Sequence, residues 1–172
     1  DVVIMFSGTI VRRKGIELLL EAFSEIRNEN VKLFIVGSGD VGYMRELKDL
    51  SKKLHIEDKS IFTGFLKKED VSNYFSAADI GVWPGNNSVS IMEAMACKLP
   101  IVMADLQLSH LVSYDNGFKF PQHNREKLKD ALKKLIDDKN LRLKMAGKSI
   151  NAVKKHYSYD SIAKRFLDLA RN

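Results

Sequence analysis

Apolar residues in this chain are arranged in two alternating patterns. Short continuous apolar runs, typical of strands that are buried on both faces, are separated by stretches in which apolar residues recur at helical spacing. The runs predict strands at 2–6, 31–36, 61–65, 80–83 and 101–103, with a short final strand at 117–120. The helical spacing predicts helices at 16–26, 44–54, 69–78, from about 90, and at 126–136, 141–156 and 159–170, while 105–112 is ambiguous.

This alternation of strand and helix predicts the fold class. It favours an α/β, Rossmann-like open parallel sheet with helices on both faces and right-handed crossovers. The expected organisation is one domain over 1–172, with the last helices, about 124–172, packing on it. A strand that begins almost at the first residue suggests a segment of a longer chain.

Composition adds limits on function. With 45% hydrophobic and 29% charged residues, the chain has an ordinary globular composition. No run has the length of a membrane span and no signal-peptide pattern is present, so a cytoplasmic location is expected. The single cysteine excludes an internal disulfide, and the four histidines lack ligand spacing, so no metal site is expected.

A net charge of +6 suggests an anionic partner. Nucleic acid, a membrane surface and a charged small ligand all fit that sign. The lysines cluster in the late helices, however, where acidic residues are interspersed and a solvated face explains them. We therefore expect no nucleic acid partner.

Two loops carry the candidate chemistry, because ligands of open α/β sheets bind at the carboxyl ends of the strands. Loop 8–15 contains Arg12, Arg13 and Lys14, and loop 84–90 leads into a helix start. Lysine charge on one side and backbone N–H groups on the other suit a phosphate. Glu93 would be repelled by phosphate but could accept hydrogen bonds from ribose hydroxyls, so a nucleotide explains all three features together.

Two alternative interpretations come from the same stretch and from a glycine motif. Ser90 and Glu93 also have the spacing of a capping box, in which both side chains bond backbone N–H groups at the helix start. Residues 37–42 match G-x-G-x-x-G, but they follow the second strand and lack an acidic residue at the end of the next strand. We interpret 37–42 as a glycine-rich turn rather than a dinucleotide site.

The chain resembles, over nearly its whole length, the carboxyl-terminal nucleotide-sugar-binding domain of glycosyltransferase family 4. Those enzymes are retaining transferases of the GT-B fold. The matching motifs are, in order, FSG at 6–8, KG at 14–15, FIVGSG at 34–39, IFTGF at 61–65, AADI at 77–80, EAMAC at 93–97 and LPIV at 99–102.

The resemblance implies roles for individual residues. Lys14 matches the lysine that contacts the donor diphosphate and Glu93 the glutamate that holds the ribose, and both are the expected catalytic residues. Further donor contacts are implied at positions of the diphosphate pocket, the base and the phosphate or sugar: Gly8, Thr9, Arg13, Leu66, Ser88, Val89 and Ser90.

Two departures from the family pattern fall at expected donor contacts. Thr9 stands where an arginine is usual, so Arg12 or Arg13 is expected to reach the diphosphate instead. Gly85 stands where the first of two glutamates usually touches the transferred sugar. The alternative to a transferase is therefore a nucleotide-binding or interaction domain without transferase activity.

The resemblance also implies a substrate and partners. The expected function is transfer of a hexose from a nucleoside diphosphate sugar, with no metal or other cofactor. The acceptor, a glycan or lipid-linked saccharide, would be bound by an amino-terminal domain absent here, so the isolated domain is expected to be inactive. Peripheral association with the inner face of the membrane is a further expectation.

Overall fold

The computed structural model of the chain describes residues 1–86, 88–158, 160–163 and 167, apart from the side chain of Lys68. Across these residues the chain forms six strands. They are β1 (Val2–Ser7), β2 (Val31–Val36), β3 (Ser60–Gly64), β4 (Ile80–Trp83), β5 (Ile101–Ala104) and β6 (Gly117–Phe120).

The helices lie between and after these strands. They are α1 (Ile16–Ser24), α2 (Val41–Lys53), α3 (Lys68–Ala77), α4 (Ser90–Ala96), α5 (Arg125–Asp137) and α6 (Lys139–Ala152). Short 3₁₀ turns occupy Arg12–Lys14 and Ser109–Val112, and a π-helical turn, Val153–Tyr157, follows α6.

The strands form one parallel sheet in the order β3-β2-β1-β4-β5-β6. The direction of winding reverses between β1 and β4, which pair through Ile4 with Ile80 and Met5 with Gly81. In open α/β sheets this reversal creates a crevice at the carboxyl ends of the strands. The loops after β1 and β4 are therefore the ones that border the crevice.

Burial explains the continuous apolar runs. Ile4, Met5 and Phe6 have no exposed surface, and every residue of β4 and β5 is buried. Side chains on both faces of these central strands pack against helices, as a doubly covered parallel sheet requires. The same core includes Leu132 of α5 and Met145 of α6, so these late helices pack on the sheet domain.

The predicted fold class is confirmed, and the differences are at element ends. Helix α1 ends at Ser24, two residues before the predicted end, and the ambiguous segment contains the 3₁₀ turn Ser109–Val112. The predicted helix at 159–170 lies largely outside the described residues, of which 160–163 are helical.

Candidate functional site

The loop after β1 buries a lysine at the start of a helix. Residues Arg12–Lys14 form a 3₁₀ turn closed by Gly15, whose φ of 68° is in the left-handed region that favours glycine. Helix α1 begins directly afterwards, so the turn is fixed to a buried helix. Lys14 is only 7% exposed, an unusual environment for an ammonium group.

The loop after β4 is bonded to this turn. The N–H of Asn86 donates to the carbonyl of Arg13 at 2.8 Å, and Nζ of Lys14 donates to the carbonyl of Asn86, also at 2.8 Å. Burial, followed by the neighbouring charge of Arg13, lowers the pKa of Lys14 below its ordinary value. The lysine charge is thus held between the two loops at the crevice.

Gly85 allows this close approach of the two loops. A Cβ atom at Gly85 would lie 2.3 Å from the carbonyl oxygen of Arg13 and 2.8 Å from that of Lys14. Both contacts are to backbone and cannot be relieved by a side-chain rotation. The loop after β4 therefore packs closely on the 3₁₀ turn Arg12–Lys14 because position 85 is a glycine and not the glutamate that the family resemblance leads us to expect.

The start of α4 is also tied to β1. Ser90 is the first residue of α4 and is buried, and its hydroxyl donates to the carbonyl of Ser7 at 2.8 Å. The indole N–H of Trp83 donates to the same carbonyl at 3.1 Å. The capping-box interpretation is wrong for Ser90, because Val89 precedes the helix as its cap residue and the Ser90 hydroxyl bonds a strand carbonyl instead.

A cavity of about 330 Å³ lies beside these loops, at the low end of the size range of small-molecule sites. It lies at the carboxyl ends of β1, β2 and β3. Its lining residues are Ser7, Gly8, Thr9, Val36, Gly37, Ser38, Phe65, Leu66 and Val71. Three predicted site residues, Gly8, Thr9 and Leu66, are thus brought to one cavity.

Glycines form part of the cavity wall because the backbones approach closely there. A Cβ atom at Gly37 would lie 2.0 Å from the carbonyl oxygen of Gly8, and the N–H of Gly8 donates to the carbonyl of Val36 at 3.1 Å. Sequence reasoning missed Gly37 and Ser38 as site residues. Their place after a strand, at the same sheet edge as Gly8, was the available signal.

The loop after β4, which contains Ser88, reaches the same wall of the cavity from the end of β4. A Cβ atom at Gly8 would lie 3.5 Å from Oγ of Ser88, and the hydroxyl oxygens of Ser88 and Ser90 lie within hydrogen-bond distance of each other, at 2.9 Å. Val89, between them, is 70% exposed. The predicted phosphate loops, around Gly8 and Ser88, are therefore adjacent.

Glu93 lies on the exposed surface of α4. It is one turn before Cys97, and the Cys97 thiol lies near Ser76 of α3, with burial as the main cause of its raised pKa. Residues four apart share a helix face, so Glu93 faces the side of α3. That helix also contributes Val71 to the cavity, although Glu93 itself does not line it.

The two arginines of the turn differ in their surroundings. The Arg12 guanidinium pairs with Glu46 and Glu17 and lies over the ring of Tyr43, 4.7 Å from its centroid. These contacts direct Arg12 toward α2, and its contact with the diphosphate stays a prediction. Arg13 is exposed, and its diphosphate contact stays a prediction.

A second cavity, of about 320 Å³, adjoins the β4 loop. Asn86 lines it together with Leu106, Gln107 and Leu108 from the loop after β5. Its polar groups are side-chain amides. Within the described residues, no group of three or more His, Cys, Asp or Glu side chains could hold a metal ion, and no helix there is long and apolar enough to cross a membrane.

The fold and site together define the class of protein. It is a Rossmann-like domain in which a buried lysine and closely packed, glycine-containing loops lie where the sheet reverses its direction of winding. Comparison with known proteins then gives the family. The family model described as "Glycosyl transferases group 1" matches residues 1–152, and the chain belongs to this family.

Individual relatives agree with that assignment. An uncharacterized glycosyltransferase of Methanocaldococcus jannaschii is 30% identical over 173 residues, covering 96% of this chain and 44% of the relative. The chain thus spans less than half the length of that protein.

Solved structures show the same fold. Anabaena Alr3699/HepE in complex with UDP superposes with a TM-score of 0.89 at 21% identity, covering 99% of this chain and 49% of that one. The carboxyl-terminal domain of a glycosyl transferase group 1 family protein, LpcC, from Francisella tularensis gives a TM-score of 0.84 at 22% identity, covering 92% of this chain and 87% of that one. The fold is that of one half of a GT-B glycosyltransferase.

Proposed function

We propose that this chain is the donor-binding domain of a retaining family 4 glycosyltransferase that transfers a hexose from a nucleoside diphosphate sugar. The observation that carries the proposal is the hydrogen bond from Lys14 to Asn86, which joins the loops after β1 and β4 beside the 330 Å³ cavity. The HepE neighbour, with the same fold, was solved with UDP and with UDP-glucose.

In the proposed pose, each part of the donor lies against a different part of the crevice. The base occupies the cavity lined by Gly8, Thr9 and Leu66, and the ribose lies outside it toward α4, where Glu93 accepts hydrogen bonds from its hydroxyls. The diphosphate lies between Lys14 and the backbone amides of 88–90, and Arg13 reaches it from the exposed side. Val89 contributes its main chain, which suits its exposed position.

The proposed chemistry is electrostatic. Negative charge grows on the diphosphate as the sugar departs, so a fixed cation stabilises the transition state more than the ground state. Lys14 is preorganised for this because both loops hold it in place. Helix α4 has only seven residues, so its dipole contributes less than the lysine.

We place the acceptor, a glycan or lipid-linked saccharide, on an amino-terminal domain outside this chain. The half-length coverage of relatives supports this division. On this proposal the isolated domain binds donor but transfers no sugar, and no metal takes part. A cytoplasmic location at the inner membrane face stays a prediction.

The test is calorimetric titration of the chain with UDP, GDP and ADP. The proposal expects saturable binding of at least one of them. If none binds at millimolar concentration, the donor-site assignment fails.

A second function, nucleotide binding without transfer, is favoured by one observation. The packing of Gly85 on Arg13 and Lys14 leaves no space for the glutamate that usually touches the sugar. Incubation of the full-length protein with nucleotide sugars and candidate acceptors separates the two functions. Release of nucleoside diphosphate with formation of an α-linked product supports the transferase, whereas donor binding without turnover supports the second function.

A further inference from the structure

A cavity of about 300 Å³ lies at the amino ends of the strands, at the edge of the sheet opposite to the crevice. Tyr114 and Asp115 line it, and both come shortly before β6 begins at Gly117. The end of α6 reaches the same edge, because the buried hydroxyl of Ser149 donates to the carbonyl of Leu99, just before β5, at 2.6 Å. The crevice lies at the carboxyl ends of the strands, so this cavity is a separate place in the fold.

Contacts between aromatic side chains hold the walls of this cavity together. The rings of Tyr114 and His156 stack with their centroids 4.9 Å apart, and the phenolic oxygens of Tyr114 and Tyr157 lie within hydrogen-bond distance, at 3.1 Å. His156 and Tyr157 belong to the π-helical turn after α6, and such turns occur frequently at functional sites. The segment before β6 is thereby joined to the end of α6, and the cavity between them is preformed.

The helical wall of the cavity belongs to a segment whose charged residues are all basic. Residues 139–157, which form α6 and the π-helical turn, contain no Asp or Glu. Their Lys and Arg residues are Lys139, Arg142, Lys144, Lys148, Lys154 and Lys155. Charges of one sign on one element create a positive potential, which attracts anions.

The lysines of α5 are in a different environment. Three of them form ion pairs with acidic side chains: Lys127 with Asp130, Lys129 with Glu25 and Lys133 with Asp137. At Lys148 and Lys155, which are exposed and line the cavity, no ion pair forms within the part of the chain that the structure describes. A solvated, ion-paired face therefore explains the lysines of α5 but not these two.

We propose that this cavity binds a phosphate group. The ammonium groups of Lys148 and Lys155 supply charge-assisted hydrogen bonds, and the side-chain amide of Asn151, about one turn from each along the chain, supplies a neutral donor. Asp115 also lines the cavity, and its carboxylate lowers the affinity for an anion. A phosphorylated small molecule and a lipid headgroup present the same phosphate chemistry to these donors.

The first experiment is a titration of the ¹⁵N-labelled chain with inorganic phosphate, followed by amide chemical shifts. The amides of Asp115, Asn151 and Ala152 are expected to shift together and to saturate with one millimolar dissociation constant. The amides of Gly8 and Ser88 report the crevice in the same spectra. Binding at the cavity and binding at the proposed donor site are therefore measured separately, and the failure of one leaves the other standing.

Paired substitutions test the two lysines. Lys148→Gln with Lys155→Gln is expected to raise the dissociation constant about tenfold, since one exposed charge contributes up to about fivefold. Lys139→Gln with Lys144→Gln is the matched control, because it removes the same charge from the same helix at positions that do not line the cavity. The control is expected to bind phosphate as wild type does.

Asp115→Asn tests the opposing charge. It removes the carboxylate from the cavity and is expected to lower the dissociation constant for phosphate about threefold. Asparagine is among the residues that adopt a positive φ most readily, so the φ of 54° at this position is compatible with the substitution.

Two results would overturn the proposal. One is the absence of saturable phosphate-dependent shifts at the amides of Asp115, Asn151 and Ala152. The other is an equal loss of phosphate affinity in the two paired lysine variants, because the affinity would then come from the general positive charge of α6 and not from this cavity.

Sedimentation with lipid vesicles identifies the source of the phosphate. The chain is mixed with vesicles of equal parts phosphatidylglycerol and phosphatidylcholine, or of phosphatidylcholine alone. Binding to the anionic vesicles that is lost in Lys148→Gln with Lys155→Gln, but kept in the control pair, supports the proposal with a lipid headgroup as the ligand. Saturable binding of inorganic phosphate without vesicle binding supports it with a phosphorylated small molecule as the ligand.

Discussion

Nζ of Lys14 donates a hydrogen bond to the carbonyl oxygen of Asn86 at 2.8 Å, across 72 positions of sequence. The bond joins the loops after β1 and β4, the two neighbouring strands at which the sheet reverses its direction of winding. The ammonium group is thereby fixed where an anionic ligand of this fold would lie. The proposed donor chemistry depends on this one placement.

The first prediction concerns the charge of Lys14. Lys14→Ala removes a cation that is expected to bond the diphosphate directly, and hydrogen bonds to charged groups contribute about 2 kcal/mol. UDP affinity, measured by calorimetry, should fall about thirtyfold. Lys52→Ala, an exposed lysine of α2, should leave the affinity unchanged. Equal affinities of the Lys14 and Lys52 variants would contradict a diphosphate contact.

The second prediction concerns Gly85. Gly85→Ala puts a methyl group 2.3 Å from the carbonyl oxygen of Arg13, so the two loops must separate. We expect a loss of about 1–3 kcal/mol in the free energy of unfolding, together with weaker UDP binding.

Gly147→Ala is the matched control for Gly85. Gly147 lies within α6, and a Cβ atom there would meet nothing within 4 Å. Alanine at such a helical position should stabilise by about 0.5–1 kcal/mol. Chemical denaturation measures both variants, and a stability of Gly85→Ala equal to or above wild type would show that the loops are not closely packed in solution.

The third prediction is a pH dependence. Burial and the charge of Arg13 lower the pKa of Lys14 from 10.5. The diphosphate binds the charged lysine, so affinity should be full near neutral pH and decline as the pH rises through the lowered pKa, before 10.5 is reached. The phosphate itself is fully ionised above neutral pH and adds no titration there.

Lys14→Arg provides the control for that profile. A guanidinium stays charged throughout the measured range, so the affinity of this variant, whatever its size, should not decline over the same interval. UDP titrations at a series of pH values from 7 upward measure both proteins. The same decline in Lys14→Arg would assign the titration to another group.

The fourth prediction tests the ribose contact of Glu93. Glu93→Ala should weaken UDP binding about tenfold, because the ribose hydroxyls lose a charged acceptor. With 2′,3′-dideoxyuridine diphosphate, wild type and variant should bind equally, since neither can form those bonds. A loss of the same size for both ligands would instead place Glu93 in a structural role.

The sequence predicted the sheet well because its physical signal is local. Continuous apolar runs such as 80–83 correspond to strands buried on both faces, and glycines mark the loops at the ligand edge. The closeness of Lys14 to the loop after β4 could be predicted from the parallel topology, since the carboxyl ends of all strands in a parallel sheet lie at one edge.

The details that could not be predicted depend on contacts between distant segments. Ser90 has the spacing of a capping residue, yet its hydroxyl bonds the Ser7 carbonyl, which only the folded sheet brings near. In the sequence, Gly85 stands at a position where the family resemblance leads us to expect a glutamate. In the structure, its backbone packs against the carbonyl of Arg13 and leaves no space for a side chain. Arg12 pairs with Glu46 of α2, a choice of partner that no local pattern encodes.

The most direct test of the donor site is a titration of ¹⁵N-labelled chain with UDP, followed by amide chemical shifts. We predict that the amides of Gly8 and Ser88, on different loops, shift together and saturate with one dissociation constant, and that Lys14→Ala raises this constant. Absence of shifts at millimolar UDP, or shifts confined to a remote cavity such as the one lined by Tyr114 and His156, would contradict the proposed site.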